Sequence, residues 1–261
     1  MSAKVKAVDS IEHAPALRRL ILSLADSKRL MGIRYSDWLL GSPSIETGIA
    51  ASSMAQDEWG HARLLYAMLK DLGIDPVPIE HDRQGEEYAS VGSLDEAMPD
   101  WAALVAAIVV VDAALTTQLR GFAGGSHEPA RARVPKMISE EEFHASLGSA
   151  WFRRLAEAGG EARMLLVEAV ERLLPPTLAW VGADDAPART LVQAGVIPPP
   201  VERLAAYRDA LRGVLVRAGI DVDTIEPATD WDERRGRTPG RPDEDAVVRV
   251  RGDTNRALFV E

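Results

Sequence analysis

The chain has 261 residues, a formal charge of -10, 46% hydrophobic and 27% charged residues, and no cysteine. This composition supports a sizeable core and excludes a wholly disordered chain, while the lack of cysteine excludes disulfides, iron–sulfur clusters and thiol catalysis within it. The acidic balance, with no basic stripe, argues against nucleic acid or an anionic membrane as partner.

The opening segment, MSAKVKAVDSIEHAPALRRL, carries no uninterrupted apolar run of the signal-peptide kind, so a cytoplasmic protein is expected. A first helix is predicted from about Pro15 to Leu40, stopped by the turn residues GSPS. Ser44 is the candidate N-cap of a second helix that ends near LGIDPVP, where Gly and Pro terminate it. A polar segment over about 76–93 follows. The third helix begins near SLDEAMPDW and contains AALVAAIVVVDAAL, which is too short to span a bilayer, carries an acid, and reads as a buried core helix. A fourth is predicted from about Pro129 to Ala158. A fifth lies in EARMLLVEAVERLLPPTLAWV, where Pro175 and Pro176 should bend or break it. A sixth fits PPVERLAAYRDALRGVLVRAGI. From about Asp223 the chain is rich in Pro, Gly and Arg without helical period, and AVVRVRG and RALFVE alternate weakly like short strands. The expectation is an all-α bundle domain over 1–222 and an irregular tail over 223–261, packed on the bundle or extending from it.

In the second helix, Glu58 and His61 are three residues apart and share a face with Ala51, Met54, Leu65, Leu69 and Leu72, so both point at the core. A buried carboxylate must be paired, protonated or bound to a cation. The fourth helix repeats the pattern with Glu141 and His144, on the stripe of Val134, Met137, Phe152 and Leu155. Asp112 is the only polar residue between Ala102 and Leu115. In the first helix Asp37 follows the stripe of Leu30, Ile33 and Leu40, although a second stripe runs through Leu24, Met31 and Tyr35. The order acid, Glu-x-x-His, acid, Glu-x-x-His over four helices is the di-metal carboxylate pattern, making Asp37, Glu58, His61, Asp112, Glu141 and His144 the candidate metal ligands. Carboxylate and imidazole suit iron first and manganese second. No further catalytic group stands out. Glu46 is read as a helix-dipole residue, His13, His81 and His127 as surface histidines, and Trp38, Trp59, Trp101, Trp151 and Trp180 as packing residues.

The wording also matters. LADSKRLMGIRYSDWLLGSPSIETGIAASSMAQDEWGHARLLY, VVDAALTTQL and ISEEEFHASLGSAWFRRLA, spanning roughly residues 15 to 180, resemble the phenylacetic acid catabolic family, the phenylacetyl-CoA epoxidase subunits of the ferritin-like superfamily. The resemblance implies a ferritin-like four-helix bundle with additional C-terminal helices. It also implies a complex in which a catalytic di-iron subunit pairs with a similar structural one. By wording the chain is closer to the structural subunit, yet Glu58, His61, Asp112, Glu141 and His144 match positions that bind metal in the catalytic type, with Asp37 at the remaining acid position. The leading expectation is therefore a di-iron oxygenase that inserts one oxygen atom into an aromatic or other acyl-CoA, fed by a separate reductase. It would be a homo-oligomer or be paired with a homologous subunit. A non-catalytic scaffold subunit and a ferritin-like iron-oxidising or storage protein are the alternatives.

Overall fold

The computed structural model describes residues 13–252 and Leu258. Its elements are α1 (Ala14–Asp37), α2 (Ile45–Ala67), α3 (Pro76–His81), α4 (Trp101–Ala107), α5 (Ala113–Gly124), α6 (Glu128–Ala158), α7 (Gly160–Val181), α8 (Ala186–Gln193), α9 (Pro200–Leu215) and α10 (Glu244–Arg251). The fold is all-α, as expected of a ferritin-like helical bundle; among the described residues, extended pairing is limited to one bridge between Asp232 and Arg237.

The bundle follows from the apolar stripes. Leu17, Ile21, Leu24, Met31 and Tyr35 recur at helical spacing along α1 and are all fully buried. The α1 helix packs most extensively on α2, to which a short turn joins it, so the two run antiparallel. Ser44 caps α2 by accepting from the Thr47 amide. Asp100 caps α4 by accepting from the Ala103 amide.

α4 and α5 form one rod, joined by a π-helical turn over Ile108–Asp112. This widened turn is a feature often found at functional sites. It ends on Asp112, which lies in the bundle centre. The rod is long and apolar enough to cross a membrane, but 89% of its most apolar window is buried inside the bundle. It is a core helix, as its composition suggested. Gly148 of α6 allows the rod to approach closely, since a Cβ there would lie 2.4 Å from the Ile108 Cγ2.

Several expectations are corrected. α1 ends at Asp37 rather than Leu40. α7 runs without interruption through Pro175 and Pro176. The carbonyls left without an amide donor by the two prolines belong to Glu171 and Arg172, which are exposed and open to solvent, while Leu173, Leu174 and Leu178 anchor the other face in the core. The segment over 76–93 contains α3, and residues 186–193 form α8, capped by Asp185.

The tail also differs from expectation. AVVRVR is not extended but forms α10. Asp243 caps it, Glu244 and Asp245 sit in its first turn, Arg249 and Arg251 in its last, and Gly252 closes it at φ 74°. That is the charge order a helix dipole favours. Ala246, Val247 and Val250 join the same core as the bundle helices. RALFVE lies outside the described residues, Leu258 excepted.

Arginine–carboxylate pairs fasten the tail to the bundle: Arg34 with Asp243, Arg237 with Asp95, Arg241 with Glu86, and Arg249 with Asp37. A comparable set fixes the loop before α4. Fully buried Asp26 accepts from Tyr66, from both terminal nitrogens of Arg83 and from the Ala89 amide.

Candidate metal centre and its resident lysine

α2 delivers Glu58 and His61, the π turn delivers Asp112, and α6 delivers Glu141 and His144. One donor atom from each of Glu58, Asp112, Glu141 and His144 can be chosen so that all lie within 4.8 Å of one another, and all four residues are buried. Such a group could hold a metal ion. His61 stands at the rim, its Nδ1 3.0 Å from Glu141 Oε1 and its Nε2 2.7 Å from Glu140 Oε2.

Asp37 is not brought to this cluster. It lies at the C-terminal end of α1, where Arg249 Nη1 is 2.5 Å and Arg34 Nη1 3.6 Å away. The α1 residue at the cluster is Lys28, nine positions earlier and therefore about 13 Å back along the helix axis. Lys28 is fully buried on the stripe of Leu24, Met31 and Tyr35. Its Nζ donates to Glu141 Oε1 at 2.6 Å, Glu58 Oε1 at 2.7 Å and Asp112 Oδ1 at 3.1 Å. Those three bonds use all three ammonium protons.

The signal was in the sequence. A lysine in the middle of the second α1 stripe is as anomalous as an acid there, because neither is left buried without a partner.

His144 completes the centre. Its Nδ1 donates to Asp112 Oδ2 at 3.1 Å and lies 3.4 Å from Glu58 Oε1 and 3.5 Å from Glu141 Oε2, while its Nε2 faces Asp57 Oδ2 at 3.5 Å. The Tyr35 hydroxyl donates to Asp112 Oδ2 at 2.9 Å.

Three carboxylates thus face three basic side chains, Lys28, His61 and His144. The electrostatics follow. Burial opposes the charge on Lys28, but the surrounding Asp112, Glu141 and Glu58 outweigh it and raise its pKa well above the ordinary lysine value. Burial likewise opposes the His144 imidazolium, yet its bonds to Asp112, Glu141 and Glu58 push it up to about 12. Burial would raise Glu141, but Lys28, His144 and His61 hold it well below the usual carboxylate range. For Glu58 burial wins over the pull of Lys28, and its pKa rises to about 7.

Two ions do not fit this donor set. The two-metal pattern takes one carboxylate from each of two helices besides the two Glu-x-x-His pairs, and α1 contributes an ammonium group instead. That cation already sits against three of the four converging donors. Glu58 Oε2 is buried without a hydrogen-bond partner, and His61 Nδ1 has no well-aligned one although it lies 3.0 Å from Glu141 Oε1, so the cluster keeps unused hydrogen-bonding capacity.

A cavity of about 250 Å³ between α5, α6 and α9 reaches Asp112 and Glu141, with Thr116, Arg120, Leu211 and Val214 among its walls. The tryptophans are packing residues: Trp101 meets Trp38 and Trp151 edge to face, and Trp180 donates to Ser23 Oγ at 2.8 Å. His127 is half-buried and stacks on Phe122, which the surface reading did not anticipate. Glu46 is exposed in the first turn of α2.

Among known proteins, no curated sequence matches the chain. A family model described as phenylacetic acid catabolic protein matches residues 2–239. Helical architecture, a buried acid–imidazole cluster and a match over almost the whole chain agree, and the chain belongs to the phenylacetic acid catabolic protein family.

Proposed function

We propose that this protein serves phenylacetate catabolism as the non-catalytic helical subunit of an oxygenase, pairing with a homologous subunit that carries the metal centre. The observation that supports this reading is Lys28. Its ammonium group takes the central position among Glu58, Asp112 and Glu141, so the positive charge that a buried acidic cluster requires is built into the chain. The cluster then holds four helices in register without an exchangeable ion. In this reading the cell compartment is the cytoplasm, and the acyl-CoA substrate and the reductase meet the partner subunit.

The test is reconstitution. Isolated protein should show no reductant-dependent oxygen consumption with phenylacetyl-CoA, and should raise the activity or stability of a catalytic di-iron subunit of the family with which it co-purifies. Turnover by the isolated chain would reject the reading.

A second reading, a metal-loaded oxygenase, is favoured by the convergence of four buried donors and by the unpartnered Glu58 Oε2. It requires the Lys28 ammonium to leave the centre. Iron content near two per chain would support it.

A further inference from the structure

Three arginines are buried among the described residues, Arg34, Arg203 and Arg237. Arg34 holds Asp243 and Arg237 holds Asp95. Arg203, on α9, is 4% exposed, yet among the described residues it holds no carboxylate. Its Nε donates to the Pro198 carbonyl at 3.1 Å and its Nη2 to the Ala183 carbonyl at 2.7 Å, which leaves Nη1 without an acceptor among the described residues. Carbonyls satisfy the protons of a guanidinium group without neutralising it, and a cation withdrawn from water needs a counter-charge as well.

The nearby acids do not supply it. Asp185 accepts from both terminal nitrogens of Arg19 and from the Trp231 indole. Asp184 is exposed and lies 3.5 Å from Arg189. Burial therefore outweighs the pull of both aspartates on Arg203 and lowers its pKa to about 10. Arg19, Arg189 and Arg203 against Asp184 and Asp185 leave a single positive charge, and it belongs to the buried side chain.

Arg203 lines a cavity of about 40 Å³ where α1, α5, α8 and α9 meet beneath Gly236 of the tail. Among the described residues no carboxylate lines it; the other polar side chains of its wall are Arg19, Ser23 and Gln118. Gln118 on α5 is 6% exposed, and among the described residues its amide has no hydrogen-bond partner. Ser23 Oγ accepts from Trp180 Nε1 at 2.8 Å, so its own proton is free to donate. Leu191 and Ile197 contribute apolar wall. A water molecule needs about 10 to 15 Å³ of such space, so an ion of a few atoms has room here and a nucleotide or a thioester does not.

We propose that this cavity binds a monovalent anion of halide size, chloride being the abundant one, which neutralises Arg203 and ties α9 to α1 and α5. The site is distinct from the Lys28 cluster and does not depend on the subunit's catalytic role.

The test is thermal melting of the full chain as chloride replaces gluconate at constant ionic strength, gluconate being too large for the cavity. The melting temperature should climb with chloride concentration once the site begins to fill, and bromide should act in place of chloride. Gln118→Glu builds a carboxylate into the wall that Arg203 shares. It should melt above the parent protein in gluconate and lose the response to chloride. Arg203→Gln removes the charge and should lose the response too; if that variant does not fold, Gln118→Glu decides alone. Crystals grown in bromide should show an anomalous scattering peak in the cavity. Equal melting of the parent in chloride and gluconate would overturn the proposal, as would an undiminished chloride response in Gln118→Glu or a cavity without bromide; water alone would then fill the space.

Discussion

Lys28 on α1 donates to Glu141 on α6 over 2.6 Å, and both side chains are withdrawn from solvent. The same ammonium group also holds Glu58 of α2 and Asp112 of the π turn, so one side chain ties four segments of the bundle together. Removing one partner of such a network leaves uncompensated buried charge, which costs far more than the intact network contributes.

Lys28→Ala should therefore lower the unfolding free energy by about 3 to 5 kcal/mol. Urea denaturation measures this. A loss under about 1 kcal/mol, the value of an exposed pair, would mean that the lysine is not the counterion of the three acids.

Lys28→Glu supplies the carboxylate that the first helix lacks. With Glu58, Asp112, Glu141 and the two histidines it completes the two-metal donor set. Purified apo-variant should bind about two equivalents of ferrous iron or cobaltous ion, measured by elemental analysis and by the visible bands of cobalt. Unchanged metal content in a folded variant would contradict the geometry.

The pH dependence has a definite sign. His144 in the folded chain is raised to about 12 from an ordinary value of 6.5. Its contribution is fully present below about 6.5 and is lost progressively as pH rises through 12. Glu58 is raised from 4.5 to about 7, so the stability it lends in its neutral form is lost as pH rises from 4.5 to 7. Glu141, held low, contributes above its ordinary value and loses that contribution in acid. Stability should therefore fall as pH rises from about 7 to 9, by up to about 1.4 kcal/mol per unit for one proton, and the fall should shrink in His144→Gln. Parallel profiles for the two proteins would refute the assignment.

Close approach of α6 to the π turn depends on Gly148. Gly148→Ala places a methyl group against Ile108, and should cost about 1 to 3 kcal/mol by overpacking. Ile108→Ala removes the Cγ2 that the new methyl would meet, so Gly148→Ala should cost less in an Ile108→Ala background than in the parent protein, measured in the same denaturation assay.

The tail is fastened by charge as much as by apolar contact. Asp243 both caps α10 and receives Arg34, a residue that also donates to the Leu94 carbonyl. Asp243→Ala should release α10 before the bundle unfolds, seen as faster amide exchange over 244–251 with the global transition little changed. Uniform exchange across the chain would show that tail and bundle unfold as one unit.

Much of this was legible in the sequence. The long helices, the buried apolar run and four of the converging residues, Glu58, Asp112, Glu141 and His144, follow from period and burial alone. What failed was the choice between two stripes on α1. Following Leu30, Ile33 and Leu40 led to Asp37, whereas Leu24, Met31 and Tyr35 flank Lys28, the residue that reaches the acids. A search for metal ligands weighs acids and imidazoles and passes over lysine, although a buried ammonium answers the same electrostatic need. α10 was missed because VVRVR alternates over a few residues, and only Asp243 before it and Gly252 after it signal a helix. α7 continues through its two prolines with Glu171 and Arg172, whose carbonyls lose their amide donors, on the exposed face of the helix, a fact of tertiary placement that local pattern does not contain.

The most direct test is the iron content of the full chain produced in iron-replete cells and purified without chelator, measured beside Lys28→Glu. Far less than one iron per chain is expected in the parent protein, with a clear gain in the variant. Two irons per chain in the parent, lost in Glu58→Ala, would contradict that expectation and establish the metal-loaded reading instead.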